Sequence, residues 1–151
     1  MSILGVDLGT TFGWATLVDG VGVESGSYKI KTKPNAPKGE RYYQFYTAIQ
    51  GLLRQGVTQI YYEDVKRHIG TDAAHVYGGY RAILLCLAFQ LDIPVTGIGV
   101  GTIKKCWTGK GNATKGMMIA EAGKRSFTPH DDNEADALAI LHCGIDMENT
   151  P

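Results

Sequence analysis

Two short apolar runs in this chain each stop on a carboxylate. Ile3-Leu4-Gly5-Val6 runs into Asp7, and Ile60-Tyr61-Tyr62 runs into Glu63. Runs of this length and composition, free of alternating polar residues, are strands buried on both faces, the kind that parallel pairing produces. A glutamate at the end of so β-prone a segment is disfavoured on propensity. Both acids stand at carboxyl ends, so a sheet that makes these strands neighbours brings them together. That requirement restricts the chain to a layered α/β arrangement.

The other segments supply the remaining parts. Gly13 to Val18 reads as a second strand. Asp19-Gly20 is a hairpin signal, since both positions tolerate positive φ, and Val21 to Lys31 reads as a third strand, antiparallel to the second. Thr32 to Gly39 is a loop with Pro34 and Pro37. Glu40 to Gln55 repeats Tyr42, Phe45, Ile49, Leu52 and Leu53 at helical spacing and stops at Gly56. Val57 to Tyr62 is the fourth strand. A helix follows from Thr71 or Asp72 to Leu91, then a fifth strand over Val95 to Val100. Thr102 to Trp107, Ala113 to Arg125 and Asp132 to Asp146 complete the set as helices. Three hairpin-linked strands followed by crossover strands predict a mixed five-stranded sheet with helices on both faces. This is the element order of the ribonuclease H-like architecture, on one domain over residues 1–151.

Composition narrows the class little. Fifteen basic residues balance fifteen acidic ones, whereas nucleic-acid binders usually lean basic; any basic surface must be local. Cys86, Cys106 and Cys143 are far apart and form no C-x-x-C pair, so neither a zinc site nor a disulfide framework is expected. Three free thiols, no leader and no apolar run of about 18 residues lead us to expect a cytoplasmic protein.

A third group of acids stands in "HDDNEADALAI". Asp132 and Asp136 are four apart and share a helix face; Asn133 and Asp136 are three apart and do the same. Asp131 or Asp132 could instead cap the helix. Converging carboxylates repel: at about 4 Å a like-charged pair costs on the order of 4 kcal/mol at an effective dielectric of 20. Divalent cations remove that cost, and oxygen donors suit magnesium or manganese. Two such ions about 4 Å apart activate water and stabilise the leaving oxygen of a phosphodiester. Asp7, Glu63, Asp132 and Asp136 are therefore the expected catalytic acids, and Asn133 a further candidate ligand.

The segments "GVDLGTTFGWA", "IYYEDV", "GTDAAHVYGGYRAI", "VGTIKKCWTGKGNATKGMM" and "EADALAILHC" together resemble a RuvC-family Holliday-junction resolvase, from about Ile3 to Cys143. The resemblance implies a homodimer that nicks two strands of a four-way DNA junction with magnesium, two ions per site, manganese substituting. It maps Asp7, Glu63 and Asp136 onto family acids. The family's remaining ligand lies three residues before the last acid, where this chain has Asn133; Asp132 ranks first as the substitute, and His130 is a third candidate. Lys104, Lys105, Lys110 and Lys115 match its lysine-bearing segment, where lysines neutralise phosphates. Lys66, Arg67 and His68 stand where the family places a loop probing the junction centre; that loop often offers an aromatic wedge, absent here. The 72–91 helix matches the family's dimer interface, with Ala82, Leu85, Cys86 and Phe89 on one stripe. Compactness and the Asn133 departure suggest a phage version.

Other readings stand beside this one. The same acids could serve flaps, forks or RNA-containing substrates, or the chain could bind DNA without cutting it. "GVDLGTT" also resembles the first phosphate loop of actin-like ATPases, which need two lobes and a second, Asp-Gly-rich loop. In the resolvase reading, Gly9 and the threonines form a tight turn and Trp14 is a packed strand residue.

Overall fold

The computed structural model describes residues 2–151. Five strands, β1 (Ser2–Asp7), β2 (Thr11–Val18), β3 (Gly22–Lys29), β4 (Gln59–Asp64) and β5 (Val95–Gly99), form one sheet in the order β3-β2-β1-β4-β5. β1–β2 and β2–β3 are antiparallel, whereas β1–β4 and β4–β5 are parallel. Helix α1 (Glu40–Leu53) links β3 to β4, and α2 (Thr71–Gln90) links β4 to β5. Then come α3 (Val100–Thr108), α4 (Lys115–Lys124) and α5 (Asp132–Asn149). This is the α/β fold expected, with the two acid-ended strands adjacent.

The period-2 alternation of β1 explains how helices cover both faces. Leu4 and Val6 enter a core with Ile60, Tyr62 and the inner residues of α1 and α2, among them Phe45, Ile49, Tyr80 and Leu84. Ile3 points the other way, into a core with Tyr61, Ile103, Trp107, Met118, Leu138 and Leu141 from α3, α4 and α5. Ile3 to Val6 of β1 are apolar throughout because neither face of that strand meets water.

Helix α5 lies unusually close to β1 and β2. A Cβ at Gly5 would sit 2.8 Å from the Leu141 amide nitrogen, and one at Gly13 would sit 1.9 Å from the Asn133 carbonyl oxygen. Only glycine at these positions lets the helix backbone rest directly on the sheet, which fixes the height of α5 above the end of β1.

Several boundaries differ from expectation. β2 starts at Thr11, which pairs with Lys29; Thr11 therefore belongs to the strand, and the turn is confined to residues 8–10. The hairpin connection holds three residues, 19–21, because Val18 pairs with Gly22 and the Val21 amide donates to the Val18 carbonyl. α3 begins immediately after β5 with Gly99 at its N-cap. α4 begins at Lys115, two residues later than expected, because the Thr114 hydroxyl accepts a hydrogen bond from the Met117 amide and so caps it. Among the described residues no helix is long and apolar enough to cross a membrane.

Candidate active site

Val6 pairs with Tyr62 across parallel strands, so Asp7 and Glu63 follow side by side at the carboxyl edge of the sheet. Both share strand parity with residues that meet α5: Gly5 touches Leu141 and Tyr61 packs on Gly144. From above, α5 presents Asp132 and Asp136, one turn apart. A cleft of about 160 Å³ at this point is lined by Glu63, Asp136, Lys104, Lys115, Val100, Ile103, Ala113 and Met118.

The electrostatics show how closely the acids are coupled. Burial pushes the Asp7 carboxyl well above its ordinary value, and Asp136, Glu63, Asp132 and Asp131, in that order, push it further. Burial, then Glu63 and Asp132, push Asp136 up to about 7 in spite of Lys104 and Lys115. Glu63 is raised by burial, with Lys104 opposing. Among the described residues no three carboxylate, imidazole or thiolate groups are gathered tightly enough to hold an ion as they stand. The acids repel one another across a short space without closing on a common centre. The donor set nevertheless fits a hard divalent cation: it consists of carboxylate oxygens with excess negative charge, and it contains no imidazole or thiolate.

The two acids that open α5 have separate surroundings. Asp131 is the cap: its Oδ1 accepts from the Glu134 amide at 2.8 Å, and its Oδ2 accepts from the Ser27 hydroxyl at 2.6 Å. That leaves Asp132 free to face the cluster, where its Oδ2 lies 3.2 Å from Lys115 Nζ. Asn133 rests its backbone carbonyl on Gly13. His130 turns away from the acids: its ring nitrogen Nδ1 lies 3.0 Å from Glu134, and its side chain is largely exposed.

Glu134 is 4% exposed and had no role in the sequence reading. It accepts from the Ser25 hydroxyl at 2.8 Å and from the His130 amide at 2.7 Å. Burial pushes its carboxyl up, but those hydrogen bonds and the His130 ring hold it below the usual range. Together Asp131 and Glu134 latch the start of α5 to β3. Their i, i+3 spacing in "DDNE" is the capping-box signature that signals such a latch. Tyr77 does the equivalent at β4: its hydroxyl donates to the Glu63 carbonyl at 2.7 Å and accepts from the Val65 amide at 3.0 Å. A tyrosine inside a helix carries no sequence signal for that bond.

The basic residues divide. Lys104 and Lys115 line the acid cleft; Lys105 and Lys110 are exposed and do not. A helix exposes successive residues about 100° apart, so α3 cannot aim Lys104 and Lys105 at one cleft. In the loop after β4, Lys66 pairs with Asp64. Arg67 is exposed, and His68 packs on Tyr77 with ring centroids 4.7 Å apart. The His68 ring nitrogen Nε2 is thereby shielded from solvent. Ile69, beside it, is fully exposed.

No family model matches the chain. Individual relatives do. The crossover junction endodeoxyribonuclease RuvC of Chlamydia muridarum is 30% identical over 151 residues, covering 93% of this chain and 89% of the relative. That of Chlamydia trachomatis serovar L2 is 31% identical over 121 residues, 76% of this chain and 71% of the relative. The chain belongs to the RuvC family of crossover junction endodeoxyribonucleases. Solved structures agree on the RuvC fold. Thermus thermophilus RuvC superposes with a TM-score of 0.79 at 24% identity, covering 99% of this chain and 96% of that one. The same protein in complex with a Holliday junction substrate gives 0.82 at 22%, covering 98% and 94%. The yeast mitochondrial Holliday junction resolvase gives 0.66 at 12%, covering 93% and 76%.

Proposed function

We propose that this chain, a single nuclease domain over residues 1–151, nicks branched DNA at a four-way junction. The observation that carries the reading is the meeting of Asp7 and Glu63 at the carboxyl edge of adjacent parallel strands, with Asp132 and Asp136 of α5 beside them, a gathering of carboxylates that divalent cations neutralise. Asp7, Glu63, Asp132 and Asp136 would hold two magnesium ions, with the Asn133 side-chain oxygen as a neutral donor. When bound, such ions activate a water and stabilise the leaving oxygen of a phosphodiester.

The chain's own residues do the rest. Asp7 sits on a strand buried on both sides, so it offers a rigid ligand at the centre of the site. Tyr77 fixes the Glu63 backbone, and the Asp131–Glu134 latch fixes α5. Lys104 and Lys115 face the same cleft and take the phosphates flanking the scissile bond. Ile69 is the apolar group able to wedge between base steps at the junction centre, where the aromatic residue is lacking.

A homodimer gives the symmetry that paired nicks require. On α2, Leu84, Leu87 and Ala88 face the core, while Ala82, Cys86 and Phe89 face outward, Phe89 being 90% exposed. An apolar stripe of that kind on a helix already packed on its other side is suited to a second copy of the chain.

A substrate panel of junction, fork, flap and linear duplex with magnesium tests the reading. Preferred, paired nicking of the junction supports it. Preference for fork or flap leaves the nuclease site standing and replaces the substrate. Binding without cutting removes the nuclease reading.

A further inference from the structure

The chain is neutral overall, yet residues 29–41 carry Lys29, Lys31, Lys33, Lys38 and Arg41 against the single acid Glu40. Three of these bases converge on one place. Lys33, Lys38 and Arg41 line a groove of about 460 Å³ between the loop after β3 and the first turns of α2, with Tyr42, Asp72 and His75 on its other side. A second hollow of about 360 Å³ shares Arg41, Asp72 and Val76 with it and runs on to Gly9, Thr10 and His68. Leu8, which also lines it, Gly9 and Thr10 follow directly after Asp7. The groove thus begins at the turn beside the acids and leads away along the α1–α2 side of the sheet, opposite the side held by Lys104 and Lys115.

The groove is ordered and electrically unspent. The buried Ile30 donates its amide to the Thr10 carbonyl at 2.9 Å, the Gln44 side chain donates to the Lys31 carbonyl at 2.8 Å, and Pro34 and Pro37 stiffen the loop. Lys66, Lys115, Lys124 and Arg125 all have carboxylate partners. Among the described residues no ion pair engages Lys33, Lys38 or Arg41. His68 lines the inner end and leaves its Nε2 out of solvent without a partner. The groove's three bases outnumber its one acid, Asp72, and a stiff loop that holds such an excess of positive charge binds a polyanion at small entropic cost.

We infer that this groove is a second DNA-backbone site, which holds the phosphates of an arm other than the one lying over the acids. The inference rests on the branched-DNA reading given above. It makes the neutral chain a bipolar one, with two basic walls flanking an acidic centre.

The test compares two double variants of the full chain that lose equal charge. K33A/K38A removes groove cations; K29A/K31A removes neighbouring lysines that do not line it. Binding of a four-way junction is measured without divalent metal at a series of salt concentrations. Each lost phosphate contact lowers the salt-dependence slope by about 0.9. K33A/K38A is therefore expected to lower it by about 1.8 for each bound protomer, about 3.6 for a dimer on the junction, and K29A/K31A to leave it near wild type. Equal losses in both variants, or no loss in either, overturn the groove. A wild-type protein that does not bind the junction overturns the branched-DNA reading instead, and the groove with it.

Discussion

At the scale of single residues, the central fact is the raised pKa of the carboxyls gathered at the sheet edge. For Asp136 the sign follows directly. Below its ordinary value of 3.8 the carboxyl is protonated in folded and unfolded chain alike. Between there and about 7 the unfolded chain releases a proton that the folded chain retains, so stability falls as pH rises. Above that both forms are ionised and the full cost remains. In a chelating buffer the Tm should fall from pH 4 to 8, by about 2–4 °C per kcal/mol in a chain of this size. Asp136→Asn should flatten that slope and raise the Tm at pH 8. Magnesium should raise the wild-type Tm at pH 8 by mass action and do little for the variant. A flat wild-type profile would show that the acids do not repel.

The choice between Asp132 and Asn133 belongs to the same scale. Asp132 acts on both Asp7 and Asp136, whereas the Asn133 side chain carries no negative charge to offer a cation. Nicking should drop at least a hundredfold in Asp132→Ala and far less in Asn133→Ala; the reverse order in a single-turnover assay would assign the fourth ligand to Asn133. Sequence alone left this open because two adjacent acids precede the helix. Only the hydrogen bond from the Glu134 amide to the Asp131 side chain shows that Asp131 is the cap. Asp7 and Glu63 were legible because a buried strand has few other reasons to end on an acid.

At the scale of elements, the site depends on how low α5 sits. Gly13→Ala places a methyl 1.9 Å from the Asn133 carbonyl oxygen, so the helix start must lift. The expected cost is about 1–3 kcal/mol of stability, with loss of nicking that persists at temperatures where the variant is folded. Gly123→Ala in α4 meets nothing within 4 Å and should be neutral or slightly stabilising. Thermal melts and nicking rates on the two variants check this, and equal effects would contradict it. The succession of strands and helices could be read from the sequence because periodicity reports element type, whereas the sheet order β3-β2-β1-β4-β5 is set by packing. The close seat of α5 could not, since a glycine in a strand looks the same whether or not a helix rests on it. Lys105 and Lys110 likewise looked equivalent to Lys104 and Lys115 until the directions of α3 and α4 separated them.

At the scale of the whole molecule, the outward stripe of α2 and the acidic edge of the sheet must work together. Phe89→Asp puts a charge on the large apolar side chain that the stripe exposes most and leaves the inward Leu84 and Leu87 untouched. It should turn a dimer into a folded monomer by sedimentation and replace paired nicks with single ones. A wild-type chain that is monomeric at micromolar concentration and on junction DNA would contradict the dimer. The neutral total charge hides a molecule with an acidic centre between basic flanks, which is why composition argued weakly against a nucleic-acid partner.

The most direct measurement follows the four strands of a junction, each labelled in turn, through incubation with purified protein and magnesium. Wild-type protein should place nicks symmetrically on two opposed strands. Asp7→Asn, folded and still able to bind the junction, should place none, and neither should wild type in chelator. Cutting by Asp7→Asn would contradict the assignment of the carboxylate edge as the site of chemistry.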